Sequence, residues 1–335
     1  MRAMNPASKK LRWGVLGWAR IATAEVIPAI GRSSNSKLQA VASRDAAKLE
    51  ACRSQYPEVT THLGYAKLLE DPEVDAVYNP LPNSQHCEWT IRAAERGKHI
   101  LCEKPMGLDA AECRRMIDAC AANRVTLMEA FMYRYSHRTR QVLEVVRSGA
   151  LGEIRFIGSS FRFHLANPAS IKLKPDLGGG CLYDVGCYPV NFVGMVADAA
   201  GGGGPASAKP VSVAAECFRQ GGVDMIFSAV LRYRSGLVAS INSGFNSQRR
   251  VFSEIVGAKG LLEVPETFFG PSGALTLTTE AGVTAVPVEE SDRYRLEVED
   301  FADAVFAGRP PLFPLSETMR NAEVIDRLFA AANNA

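Results

Sequence analysis

Short apolar runs alternate with amphipathic stretches over about the first 130 residues. Leu11–Gly17, Leu38–Ser43, Ala76–Asn79, Ile100–Cys102 and Thr126–Ala130 are the short apolar runs, as expected of strands buried on both faces. Between them, Arg20–Arg32, Asp45–Gln55, Gln85–Arg96 and Ala110–Asn123 read as helices. Asp109, with Glu112 three residues on, predicts a capping box for the last of these. Such alternation predicts a parallel sheet covered by helices on both faces.

After Met132 the rhythm changes. A helix, Arg138–Arg147, leads into the strand Ile154–Phe163, and a second helix runs through Leu182–Val196. Strand candidates then follow in series: Val211–Phe218, Asp224–Tyr233, Leu237–Phe245, Val251–Val256, Gly260–Val264 and Leu275–Thr279. Turn residues at Ser235-Gly236 and Lys259-Gly260 predict antiparallel hairpins. Gly201–Gly204, with Pro205 and Pro210, reads as a flexible surface loop and not an interdomain linker. Two helices close the chain: Glu297–Ala307, stopped by Gly308 and Pro310, and Glu317–Ala332, with Ser316 as its N-cap.

A length of 335 residues suits two domains with ample cores. The composition, 47% apolar and 22% charged, is that of an ordinary globular protein. A formal charge of +2 supplies no global field that would call for nucleic acid or an acidic membrane, so any attraction for phosphate must be local. Eight cysteines without a C-x-x-C pair read as reduced, mostly buried thiols of a reducing compartment. The five histidines lack zinc-ligand spacing, and no metal is expected. No run is long enough to span a membrane, and Met1–Lys10 lacks the apolar core of a signal peptide. The expectation is a soluble cytoplasmic protein with no nucleic-acid or membrane partner.

Gly14-Val15-Leu16-Gly17-Trp18-Ala19-Arg20-Ile21-Ala22 joins the first strand to the first helix. Read as G-x-G-x-x-G/A, it gives Gly17, Ala19 and Ala22, with alanine where a second glycine lets backbone approach a pyrophosphate. One added methyl predicts a small outward shift of the phosphate. The turn at Trp18 and the helix start at Arg20-Ile21 still offer free amides and a positive dipole end. At the end of the second strand, Ser43-Arg44 stands where an NAD site places a carboxylate. A guanidinium can bind a 2′-phosphate through a charged fork of hydrogen bonds, so Arg44 predicts NADP. The alternative is a solvated Arg44 beside a capping Asp45. In Leu81-Pro82-Asn83-Ser84-Gln85-His86, Pro82 fixes the loop and Asn83 or Ser84 caps the next helix. This loop would border a nicotinamide ribose; His86 either joins it there or serves the helix interior.

In Ile100–Pro105 a lysine ends an apolar strand, at the edge where open α/β sheets bind ligands. Farther on, Asp184 and Tyr188 are four residues apart in a predicted helix and share a face.

In their order and spacing, Gly14–Ala22, Leu81–His86, Glu103-Lys104-Pro105, Glu129–Arg134 and Gly178–Tyr188 resemble the glucose–fructose oxidoreductase and inositol dehydrogenase (Gfo/Idh/MocA) family over nearly the whole chain. The resemblance implies an α/β protein of two domains. Residues 10–131 would form a dinucleotide-binding Rossmann domain with a parallel sheet. Residues 132–335 would form an α+β substrate-binding domain with an open, mainly antiparallel sheet that makes a homodimer or homotetramer, the helix 316–332 being free to pack back on the first domain. It also implies a cis bond before Pro105, Glu103 beside the cofactor, and Lys104 at the substrate oxygen. Many inositol-dehydrogenase-like members carry histidine where Tyr188 stands; the tyrosine is similar to the glucose–fructose oxidoreductase, aldose dehydrogenase and dihydrodiol dehydrogenase branch.

The implied reaction is NADP-dependent oxidation of an aldose or related cyclic polyol, aldose to lactone, with a second sugar reduced if the cofactor is retained. Ketosugar reduction, trans-dihydrodiol oxidation and non-catalytic NADP sensing are the alternatives. Tyr188 would take the hydroxyl proton, its phenol (pKa about 10 when free) eased by Lys104. Asp184 would hold the sugar or orient Lys104. Tyr133, Arg134 and His164 are candidates for the sugar pocket, Arg134 reading equally as a domain-interface ion pair.

Overall fold

The computed structural model describes residues 9–333. Six parallel strands form the first sheet: β1 (Leu11–Leu16), β2 (Ser36–Ser43), β3 (Thr60–Leu63), β4 (Ala76–Asn79), β5 (His99–Glu103) and β6 (Leu127–Ala130). Their order is β3-β2-β1-β4-β5-β6, so the strand order reverses between β1 and β4. In such sheets the crevice beyond the C-terminal strand ends at this reversal is where ligands bind.

The helix after β1 opens with a π-helical stretch, Ala22–Val26, and continues as α1 (Ile27–Arg32). The other crossovers are α2 (Ala46–Gln55), α3 (Tyr65–Leu69), α4 (Asn83–Glu95) and α5 (Ala110–Ala122). Close helix–sheet packing explains Gly14, because a Cβ there would lie 2.6 Å from Leu68 Cδ2. Two expected caps differ. Pro82, not Asn83 or Ser84, precedes α4, with no side-chain cap bond. At α5, Asp109 accepts the Glu112 amide, but Glu112 turns its carboxylate to the Leu108 amide (2.9 Å) and not to that of Asp109.

The second half supplies α6 (His137–Arg147), β7 (Ile154–His164) and a π-helical turn, Leu182–Gly186, running into α7 (Cys187–Ala200). Seven strands follow: β8 (Pro210–Gln220), β9 (Val223–Tyr233), β10 (Val238–Gly244), β11 (Asn246–Gly257), β12 (Gly260–Pro265), β13 (Gly273–Thr279) and β14 (Gly282–Val288). With β7 they form an eight-stranded sheet, ordered β14-β13-β12-β11-β7-β10-β9-β8. Every neighbouring pair is antiparallel except β7 and β10, which run parallel with Ser159 beside Ile241. Helix α7 covers β7 and β10 on one face, while Phe218, Ile226 and Val230 are exposed on the outer strands.

Two helices close the chain, α8 (Arg293–Ala307) and α9 (Leu315–Asn333). Asp292 caps α8 by accepting the Arg295 amide (3.2 Å), which starts the helix four residues before the expected Glu297. Helix α9 begins before Ser316, so that residue lies inside the first turn and is not the N-cap. Helix α9 packs against α5 and β6 as well as α7 and β8, and its Asp326 accepts the Ala110 amide (3.0 Å). Among the described residues no helix is long and apolar enough to cross a membrane. All eight cysteines are free; seven are buried and Cys217 is half-buried.

Candidate active site

Because all six strands of the first sheet are parallel, their C-terminal ends share one edge. Gly17, Ser43, Asn79 and Glu103–Lys104 follow or end β1, β2, β4 and β5 there. Adjacent strands lie about 4.8 Å apart, so the turn after β1 and Lys104 after β5 are separated by roughly 10 Å across the sheet. A dinucleotide is long enough to span that gap.

At the β1 end, Gly17 adopts φ +102°, a conformation that side-chain-bearing residues rarely reach. Its amide donates to Ala42 O (2.7 Å), turning the chain out of the sheet. Among the described residues no protein acceptor takes the amides of Trp18 and Ala19. Arg20 is exposed and Ile21 half-buried, and the helix they begin points its first amides toward the crevice edge. Trp18 stands edge-on to Tyr56, with ring centroids 6.2 Å apart.

At the β2 end, Ser43 is buried and its Oγ accepts the Asp45 amide (3.1 Å). Asp45 caps α2, so no carboxylate faces the crevice from this strand end. Arg44 is exposed with its guanidinium 5.5 Å from the Tyr65 ring centroid, leaving its donors available. Positive-φ glycine, unpaired amides and a guanidinium in place of a carboxylate together fit a dinucleotide with a 2′-phosphate.

The remaining candidates on this side are engaged by protein partners. Asn83 Nδ2 donates to Gly178 O (2.8 Å), which ties the start of α4 to the loop before Asp184. His86 is fully buried; Nδ1 meets Pro105 O at 2.9 Å and Nε2 meets Leu81 O at 2.7 Å. Both ring nitrogens therefore face backbone carbonyls, one of them as donor in the neutral ring, and His86 ties the Leu81 loop to Pro105. Burial lowers its pKa against the pull of those two carbonyls. Glu103 Oε1 accepts the Tyr78 hydroxyl (2.6 Å) and Oε2 the Lys104 amide (3.3 Å), and burial raises its pKa.

The Lys104–Pro105 bond is cis. Lys104, Asp184 and Tyr188 converge. Lys104 Nζ donates to the backbone O of Asp184 (2.7 Å), stands 3.9 Å from its carboxylate Oδ1, and lies 4.8 Å from the Tyr188 ring centroid. Burial works against the ammonium, but Cys187, Asp184 and Glu103 outweigh it and raise the Lys104 pKa. The ammonium is thus charged at neutral pH and keeps donors to spare.

Tyr188 is enclosed by Phe131, Tyr133, Phe161, Phe268 and Phe269, with centroids 5.2–5.9 Å away. Among the described residues its hydroxyl meets only Met132 Sδ, at 3.8 Å, a weak contact. Burial, then the negative charges of Glu103 and Asp184, hold its pKa well above the usual phenol value. This departs from the expectation that Lys104 eases ionisation. The ammonium sits over the ring face and not at the hydroxyl, and the acidic neighbours oppose a phenolate.

Sequence reasoning missed Lys172, whose Nζ donates to Asp184 Oδ2. It lies in a short 3₁₀ turn twelve positions before Asp184, too brief for periodicity to signal the contact. Of the sugar-pocket candidates, Tyr133 is wholly buried with its hydroxyl on Asn191, and Arg134 pairs with Glu317 of α9 at 2.6 Å. Neither is brought to the cleft; the ion-pair alternative for Arg134 is the one the structure contains. His164 ends β7, exposed, with no hydrogen bond to the Lys104 group among the described residues. The described residues contain no cluster of three or more potential metal ligands.

Two family models match the chain: one described as an oxidoreductase family with an NAD-binding Rossmann fold over residues 11–131, and a GFO/IDH/MocA C-terminal domain over residues 139–263. D-xylose 1-dehydrogenase (NADP(+)) 2 of Haloferax volcanii is 37% identical over 326 residues, covering 96% of this chain and 97% of that protein. KijD10, a 3-ketoreductase from Actinomadura kijaniata solved with NADP and TDP-benzene, superposes with a TM-score of 0.89 at 28% identity, over 96% and 98% of the two chains. An aldose–aldose oxidoreductase from Caulobacter crescentus, solved with glycerol, gives 0.86 at 28% identity, over 97% and 98%.

Proposed function

The chain belongs to the GFO/IDH/MocA oxidoreductase family, and from that premise we infer an NADP-dependent sugar oxidoreductase that acts on a CH–OH carbon of an aldose or related cyclic polyol. The observation that carries this reading is the convergence of Lys104, Asp184 and Tyr188 at the C-terminal edge of the parallel sheet, beside a dinucleotide crevice. Gly17, Trp18, Ala19, Arg20 and Ile21 hold the pyrophosphate, Ser43 and Arg44 the 2′-phosphate, and Pro82 and Glu103 border the nicotinamide end. Bound there, NADP supplies the hydride acceptor and donor. Lys104 Nζ donates a hydrogen bond to the substrate oxygen and so favours negative charge on it. Tyr188 Oη exchanges the proton with that same oxygen, and Asp184 accepts from a neighbouring hydroxyl. Acid–base help of this kind contributes about 10²–10⁴-fold, the rest coming from holding the reacting carbon in reach.

One observation favours a second reading, reduction of a ketosugar. A phenol kept neutral by burial and acidic neighbours is a ready proton donor to a carbonyl oxygen, whereas oxidation must first ionise it. The two readings share a site and differ in direction. An assay of NADP reduction with pentoses and hexoses, and of NADPH oxidation with ketosugars, distinguishes them. Reduction stays flat in rate across neutral pH, while oxidation climbs with pH because the folded-state pKa of Tyr188 is raised. Demonstrated NADP binding without turnover of any sugar or diol in either direction would favour a sensor.

The outer face of the eight-stranded sheet supports assembly. Phe218 and Ile226 are register neighbours on β8 and β9, 54% and 40% exposed. This apolar face makes a homodimer or homotetramer contact, checked by solution mass before and after Phe218→Glu. Eight free thiols suit a reducing compartment such as the cytoplasm.

A further inference from the structure

Asp184 has two cations within reach and uses them unequally. Its Oδ2 accepts from Lys172 Nζ, while its Oδ1 stays 3.9 Å from Lys104 Nζ. Lys104 is bonded instead to the backbone oxygen of the same residue, at 2.7 Å. An ammonium has three donors, and the carboxylate takes none of those on Lys104 at hydrogen-bond distance.

Lys172 is built into place. It lies in a short 3₁₀ turn, Ile171–Leu173, where Ser170 Oγ accepts its amide at 3.3 Å. Its carbonyl accepts the Gly180 amide (2.9 Å), Lys174 O accepts that of Gly179 (3.0 Å), and Gly180 O in turn accepts the Asp184 amide (3.1 Å). One hydrogen-bonded clasp therefore holds both partners of the pair. Gly179 is required there, because a Cβ would lie 2.6 Å from Lys172 O. The Lys172 side chain is 37% exposed against 17% for Asp184 and 13% for Lys104, so it forms the solvent side of the cluster.

We propose that Lys172 is a positioning and specificity residue. It holds the Asp184 carboxylate off Lys104, so that the Lys104 ammonium is free for the reacting oxygen. The Asp184 carboxylate, so held, presents an acceptor to the hydroxyl on the carbon next to the reacting one. Without Lys172, the nearest cation left to the carboxylate is Lys104, whose donors it would occupy. The inference rests on the sugar oxidoreductase reading above.

The test compares wild type, Lys172→Met, Lys172→Arg, Asp184→Asn and the Lys172→Met/Asp184→Asn double variant on an aldose and its 2-deoxy analogue. The expected results are a fall of about 10²-fold in kcat/KM for Lys172→Met, recovery to within about tenfold by Lys172→Arg, and loss of the preference for the hydroxylated sugar. The double variant should be no slower than Asp184→Asn alone, because Lys172 acts through Asp184. Near-normal kcat/KM and unchanged preference in Lys172→Met, with wild type active, overturns the role of Lys172 and leaves the function standing. Additive losses in the double variant also overturn it. A wild type inactive on every sugar, with NADP bound, overturns the functional reading beneath it.

Discussion

Two clusters of charge lie within the molecule, each built from residues far apart in sequence. In one, Arg134 and Arg320 meet Glu317 and Asp198 where α9 crosses α7. In the other, Lys104 and Lys172 meet Asp184 at the sheet edge. The first balances two positive against two negative charges, and its side chains are at most 10% exposed. Its cations are arginines whose fixed forks match carboxylates. The second has one carboxylate between two ammonium groups, is open to solvent on the Lys172 side, and leaves Lys104 with spare donors. A saturated cluster holds parts together; an unsaturated one has capacity left for a ligand. Spare hydrogen-bonding capacity, more than charge density, separates a candidate site from a structural ion pair.

That contrast can be broken most directly at the cleft. Lys104→Ala and Tyr188→Phe should each reduce turnover by about 10²–10⁴-fold while leaving the melting temperature within a few degrees. The same comparison inverts at the interior cluster. Removing one partner of a buried pair strands the other, so Arg134→Ala should cost about 3–5 kcal/mol in chemical denaturation. What folded enzyme remains should keep near-normal KM; a purely kinetic defect in Arg134→Ala would erase the distinction.

A third buried charge sharpens it. Glu129 accepts the Met106 amide on Oε1 (2.9 Å), and burial pushes its pKa up to about 7. A carboxyl whose folded-state pKa is raised stabilises the fold fully below its unfolded value and loses that contribution as pH rises through about 7. Wild type should therefore lose up to about 3 kcal/mol from this group between roughly pH 4.5 and 8, and Glu129→Gln should remove that slope from a melting series. Equal slopes in the two proteins would contradict it. The smallest effect belongs to Arg44. Losing one charge-assisted contact is worth about 1.5–3 kcal/mol, so Arg44→Asp should weaken NADP by roughly 10–100-fold and NAD much less, by titration of cofactor fluorescence.

Much of the fold was legible because buried strands announce themselves. β1, β4 and β5 are short apolar runs, and their alternation with helices implied the parallel sheet. The strands overlooked are edge strands. Thr60–Leu63 is mostly polar, and Gly282–Val288, though largely apolar, is exposed along most of its length and holds Pro287, which demotes a strand reading. The parallel pairing of β7 with β10 joins segments about eighty residues apart and leaves no local trace.

The site divides in the same way. Lys104, Asp184 and Tyr188 were readable because a strand end and a four-residue helical spacing gave them geometry in advance. Lys172 sits in a 3₁₀ turn too short to show a period. For His86 and Arg134 a structural alternative stayed open, and it is the one the structure contains; Tyr133 spends its hydroxyl on Asn191, because sequence reports a residue's chemistry without reporting which partners consume it.

We expect the Lys104 ammonium and the Tyr188 phenol to meet one substrate oxygen beside the nicotinamide. A crystal structure with NADP and a sugar substrate measures this directly. That oxygen should lie within hydrogen-bond distance of both Lys104 Nζ and Tyr188 Oη, with the reacting carbon facing nicotinamide C4. A dinucleotide seated away from the Gly17 turn, or a sugar touching neither group, would contradict it.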